Sequence, residues 1–208
     1  MAPKDAEVLA ALGMAQSLNG QVELAIATLN TALKLDPRNL SAMESLAIDL
    51  EHLGRNEEAE KDLRSGLAAY PGNELLINSL ANLLADTHRY DEAISLFKAA
   101  LTRNPQSIET LRDLAFTLYE RAKDGDIDEA VGLANRLLKP IPNDHLAWHR
   151  LEMFLDRKGD YRESIGAYEK ALQLAPASPG TLTSLLHTYA RARDLQGAIK
   201  TFCRFRKF

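Results

Sequence analysis

A chain of 208 residues with 46% apolar and 26% charged side chains has the balance of a folded domain, not of a disordered tail. Its net charge of −4 argues against a general nucleic-acid binder, which carries a basic excess, and no apolar run approaches the ~20 residues that span a bilayer. The single cysteine, Cys203, excludes an internal disulfide framework, and "MAPKDAEVLAALGMAQ" lacks a basic-then-apolar leader, so a reducing, cytoplasmic setting is the expectation.

From the N-terminus, Leu9, Leu12 and Gln16 recur at helical spacing, a polar "NGQ" turn follows, and a second helical stretch through Ala25 stops at Pro37. The pattern then returns. Met43, Leu46 and Leu50 precede "LGRN", and Ala59, Leu63, Gly66 and Leu67 precede Pro71. Ala93, Ile94, Phe97, Ala100 and Leu101 lead to Pro105, and Trp148, Leu151 and Leu155 lead to "KGDY". Pro37, Pro71 and Pro105 are 34 apart, Pro142 follows after 37 and Pro176 after 34. The small residues Ala25, Ala59, Ala93, Ala130, Ser164 and Ala198 keep the same steps, so two independent markers share one insertion of three residues between Pro105 and Ala130. Asp36, Asn39, Asn73, Ser107, Asp144 and Ser178 stand at the breaks as caps for the next helix. The predicted units run 6–39, 40–73, 74–107, 108–144, 145–178 and 179–208, the last one incomplete. One helical hairpin cannot bury its apolar face alone, so the recurrence is an instruction to stack.

The unit resembles the tetratricopeptide repeat, on Leu12-Gly13, Ala25, Leu29, Ala32 and Pro37 in the first copy and Trp148, Leu151, Tyr161, Tyr168, Ala171 and Pro176 in the fifth. The resemblance implies an all-α fold, a right-handed superhelical solenoid of about twelve antiparallel helices. It also implies a non-catalytic protein-interaction scaffold that receives a protein or peptide segment on its first helices. The places it assigns to that groove hold Glu7, Met14, Glu44, Ile48 and Glu51, then Asn78, Asn82 and Asp86. Later units supply Arg112, Phe116, Tyr119, His149, Arg150, Met153, Arg157, His187 and Arg191. Residues 1–104 carry net −6 and residues 105–208 net +2, so the groove changes sign and its basic part suits an acidic ligand. The clamp with which some such repeats hold acidic chaperone tails finds Asn82 and Arg150, but Asn78, Asp113 and Leu146 replace its other three residues. That role is disfavoured.

Catalytic and metal chemistry find little support. His145 and His149 lie one helical turn apart, yet Leu146 stands where a zinc protease has Glu, and no third ligand is evident. "KDGDIDEA" alternates Asp124, Asp126 and Asp128 like a calcium loop, but lacks its glycine and its final glutamate. It reads as the inserted turn, with Asp126 or Asp128 capping the following helix. Cys203 has Arg204 beside it and reads as an ordinary thiol. No cofactor is expected.

At the C-terminus, Phe202, Phe205 and Phe208 form a slowly turning stripe without the polar cap that closes a solenoid. Two rival readings follow: a substrate-guiding or regulatory arm of a larger bacterial transferase, or a structural module that associates with further copies through this end.

Overall fold

The computed structural model describes residues 3–176 and 179–205, with side chains over 5–176 and 180–203. Every regular element among them is a helix. The chain divides into two compact units, Met1–Arg103 and Asn104–Phe208. The first holds α1 (Pro3–Leu18), α2 (Val22–Leu35), α3 (Leu40–His52), α4 (Asn56–Ala69), α5 (Glu74–Asp86) and α6 (Tyr90–Arg103). The second holds α7 (Ile108–Arg121), α8 (Asp126–Leu138), α9 (His145–Lys158), α10 (Tyr161–Leu174), α11 (Pro179–Arg191) and α12 (Leu195–Phe205).

Helix starts follow the capping chemistry at four of the six places named above. Asn39 accepts from Ala42 N at 2.9 Å, Asn73 from Leu76 N at 3.0 Å and Ser107 from Thr110 N at 3.3 Å. Asp144 accepts from both Leu146 N and Ala147 N. Asp36 differs: it ends α2 and accepts from Arg38 N at 3.0 Å within the connector. Ser178 lies outside the described residues.

Inside each unit the turn between paired helices needs one left-handed residue, and these too recur. They are Gly20, Gly54 and His88 in the first unit, then Ala122, Gly125, Gly159 and Arg193 in the second. Glycine adopts that conformation freely, whereas His88, Ala122 and Arg193 hold it against their own Cβ. The α7–α8 turn, 122–125, holds two left-handed residues, Ala122 and Gly125. Asp126 does not cap α8 there. It is buried, accepts from Lys123 N at 2.9 Å, and pairs with Arg121 at 2.5 and 2.8 Å, which draws its carboxyl below the usual range. Asp128 faces outward to Lys158 at 3.2 Å.

The recurring small residues let the helices meet. Ala25, Ala59, Ala93, Ala130 and Ser164 are fully buried, and Ala198 partly so. A Cβ on Gly13 would stand 2.6 Å from Leu29 Cγ, so α1 and α2 approach closer there than any side chain permits. Leu29, Leu46, Leu63, Leu80 and Phe97 form the sealed interior of the first unit, and Leu111, Leu114, Leu118 and Phe154 that of the second. Leu12 departs from its expected inward place and is 47% exposed, while Ala6 and Ala10 make the buried stripe of α1.

A further tether joins successive hairpins within a unit. Tyr70 Oη donates to Arg38 O at 2.9 Å, and Arg103 donates to Pro71 O at 2.7 Å. In the second unit Arg136 donates to Pro105 O at 2.8 Å. Each connector carbonyl, left without a helical partner, is met by the end of the following hairpin.

Candidate protein-binding face

Three helices of the second unit, α7, α9 and α11, carry the predicted basic and aromatic residues. Phe116 and Tyr119, one turn apart on α7, stack with ring centroids 6.2 Å apart. Tyr119 also leans on buried Phe154 of α9 at 5.3 Å, which fixes its plane. Arg150 lies over the Phe116 ring at 5.5 Å and Arg157 over Tyr119 at 4.4 Å. The Arg157 guanidinium additionally donates to Tyr119 O at 3.1 Å. Aromatic faces thus hold two arginines in place. Phe116 remains 42% exposed.

Arg191 is committed differently. It pairs with Asp156 at 2.5 Å and lies over Tyr161 at 4.9 Å, while Thr188 also reaches Asp156 at 3.1 Å. Met153 is half-buried on α9 and His187 exposed on α11, and neither belongs to these stacked pairs.

Beside the stacks, the starts of α7 and α9 enclose a cavity of about 300 Å³. Arg112, His149 and Arg150 supply its polar lining, and Ile108, Leu137, Ile141, Leu146 and Ala147 its apolar wall, with Asp144 at the cap. Ile108 and Leu146 are 41% and 58% exposed at its rim. Arg112 binds Asp113 at 2.9 Å and is raised by it. Arg150 is lowered, first by burial and then by Arg112. Arg112 thus opposes the Arg150 charge inside a partly apolar cavity. His149 donates from Nδ1 to buried Glu152 and is raised by that bond.

The first unit presents a different surface. Asn78 is 2% exposed, within the packing of α5, and Asn82 is half-buried on the same helix. Glu51 is pushed up to about 7, by burial first and by Asp86 second. Asp49 is fully buried, accepts from Ser17 Oγ through one oxygen, and its Oδ2 has no hydrogen-bond partner among the described residues.

Sequence reasoning did not single out Tyr161 as a cation platform, the exposed Ile108 and Leu146 beside the arginines, or Glu152. Of the residues weighed for metal, His145 is exposed and His149 is bound to Glu152. Among the described residues no three His, Cys, Asp or Glu side chains are grouped for an ion. Cys203 is exposed, and no described helix is long and apolar enough to cross a membrane. Of the C-terminal stripe, Phe202 is 47% exposed beside exposed Leu195 and Ile199, while Phe208 and the Phe205 side chain lie outside the described set.

Family models for the tetratricopeptide repeat match residues 10–74, 84–152 and 147–180. The chain belongs to the tetratricopeptide-repeat family. A model described as PPR repeat matches residues 180–208. The chain is 32% identical over 172 residues to the peroxisomal targeting signal receptor of Saccharomyces cerevisiae, covering 80% of this chain and 28% of that protein. It is 28% identical to the human protein O-mannosyl-transferase TMTC1, over 83% of this chain and 20% of that one. The chain therefore spans less than a third of the length of these curated relatives. Among solved structures, the type IV pilus biogenesis factor PilW has a TM-score of 0.82 at 18% identity, over 97% of this chain and 92% of that one. PilF of Pseudomonas aeruginosa reaches 0.78 at 18%, over 98% and 91%. These likenesses establish the tetratricopeptide superhelical fold class.

Proposed function

We propose that this tetratricopeptide-repeat chain, read as six tandem units with the last incomplete, is a non-catalytic protein-interaction scaffold. Its ligand is an acidic protein or peptide segment with apolar side chains, held on the basic and aromatic face of the second unit. The observation that carries the reading is the cavity in which Arg112 and Arg150 stand together beside exposed Ile108 and Leu146. Carboxylates would take the guanidinium forks, and apolar side chains the wall, with Phe116 and Tyr119 extending the contact. The yeast relative's name, a targeting signal receptor, supports a role in capturing a protein segment.

A peptide array of varied sequence, probed with wild type, Arg150→Glu and Arg157→Glu, tests this. Wild type selects acidic, leucine-containing peptides and both variants lose them; equal profiles for all three would remove the assigned surface. A second reading, a repeat arm within a larger transferase, is favoured by the name of the human relative and by the one-fifth of its length that is matched. The mass and domain content of the native protein decide it.

A further inference from the structure

Glu152 breaks the rule its own repeat keeps. The matching places in earlier units hold Gly13, Ala47, Ala81 and Ala115, all buried and all small. On α9 an acid stands there, fully buried. Its Oε1 accepts from His149 Nδ1, and its Oε2 has no hydrogen-bond partner among the described residues. Ser164, across on α10, gives its hydroxyl to the Glu152 carbonyl at 3.1 Å and not to the carboxylate. A half-satisfied buried carboxylate costs stability that alanine would not, so packing alone gives no reason for it. Its one partner supplies a reason: the His149 ring, half-exposed, lines the cavity with Arg112 and Arg150.

We propose that Glu152 is a positioning residue: from inside the hairpin it holds the His149 ring at the cavity as a cation, which makes capture of an acidic ligand there depend on pH near neutrality. The inference rests on the acidic-ligand reading above.

The electrostatics around the pair agree. Burial pushes Glu152 up to about 7, and Glu152 in turn raises His149, so the pair retains a proton through the neutral range. On α9, Arg150 opposes the His149 charge; α7 brings Arg112 with Asp113, and the connector brings Asp144, all acting on Arg150. From α10, Tyr168 faces Glu152 and stays neutral, pushed up to about 12 chiefly by its own burial. α8 gives the cavity only Leu137, and α11 meets α9 at Asp156 through Thr188 and Arg191. With both members raised, the proton is held at lower pH and lost as pH rises through the pair. An anionic ligand favours the protonated ring, so affinity falls over the same range. The two arginines keep their charge, which leaves a weaker, pH-independent residue of binding.

The test uses the full chain and a fluorescein-labelled decapeptide alternating glutamate and leucine, followed by anisotropy from pH 5.5 to 8.5. Wild-type affinity falls about 5-fold or more between pH 6 and 8. His149→Asn loses that step and keeps the arginine-dependent remainder. Glu152→Ala, which restores the alanine of the second, third and fourth units, and Glu152→Gln move the step to lower pH. The ring resonance of His149, identified by its absence from His149→Asn, titrates at higher pH in wild type than in either Glu152 variant. A wild-type chain that ignores the peptide at every pH overturns the acidic-ligand reading and this proposal with it. A wild type that binds, while both Glu152 variants keep its binding midpoint and its His149 titration, overturns the proposal alone.

Discussion

The first unit, Met1–Arg103, and the second, Asn104–Phe208, bury the same register places behind the same small residues, yet their first helices differ in character. α3 offers Glu51, an acid whose ionisation is made costlier by its burial first and by Asp86 of α5 second. α7 and α9 offer arginines seated on aromatic rings. Hydrophobic burial fixes only the positions where hairpins touch, so it can be satisfied identically in both units. Everything it leaves free is where the units diverge, and ligand chemistry belongs to those positions.

That comparison can be broken most forcefully in the shared register. Leu80→Ala in the first unit, and Leu151→Ala or Tyr168→Ala in the second, leave cavities in sealed packing and are expected to lower stability by ~2–5 kcal/mol. Urea melts measure this, and a loss below a few tenths of a kcal/mol at any of the three would deny that the register carries equal weight in both units.

Titration sharpens the comparison. Glu51 and Glu152 are both raised from the ordinary 4.5 to about 7, so the folded chain holds these protons more tightly than the unfolded one. The stability each contributes is complete below pH 4.5 and is lost as pH rises through 7, and raised His149 acts in the same direction. Asp126, lowered chiefly by Arg121, runs oppositely: its contribution is present above the ordinary carboxylate range and lost as pH falls. Thermal melts of Glu51→Gln and Glu152→Gln should each show a flatter decline between pH 5 and 8, and Asp126→Asn a flatter acid limb. An unchanged profile in a variant removes its group from the account.

Turn chemistry gives a smaller effect. Arg193 adopts in the sixth hairpin the left-handed conformation that Gly159 adopts in the fifth. Arg193→Gly should stabilise by up to about 1 kcal/mol and Gly159→Ala destabilise by about as much. Opposite signs in urea titrations would contradict the strain argument. Smallest is the exposed Arg157 stack on Tyr119, where Arg157→Ala should cost about 0.5–1 kcal/mol in the same titrations.

The helices, their order and most of their ends were legible because proline stops, asparagine and serine caps and small residues all keep one period. The turns at His88 and Arg193 were harder, since no glycine marks them. The tethers from Tyr70, Arg103 and Arg136 were invisible: their acceptors are backbone carbonyls, which every residue possesses. Asp126 looked like a helix cap because its type and place fit one, but Arg121 at the end of α7 is its stronger partner. On the candidate face, Phe116, Tyr119, Arg150 and Arg157 were expected together only through the resemblance to the repeat family. Which arginine covers which ring depends on packing between hairpins. Tyr161 was read as a mark of the repeat and serves also beneath Arg191. Glu152 was not singled out, because an acid on a helix reads as a solvated face until its burial is seen.

Chemical-shift mapping of the isotope-labelled chain with the glutamate–leucine decapeptide is the most direct examination of where a ligand sits. Backbone and arginine side-chain signals of Arg112, Phe116, Tyr119, Arg150 and Arg157 should move together on saturable addition. Shifts confined to residues 1–103, or to the outward faces of α8, α10 and α12, would place binding elsewhere and contradict the account.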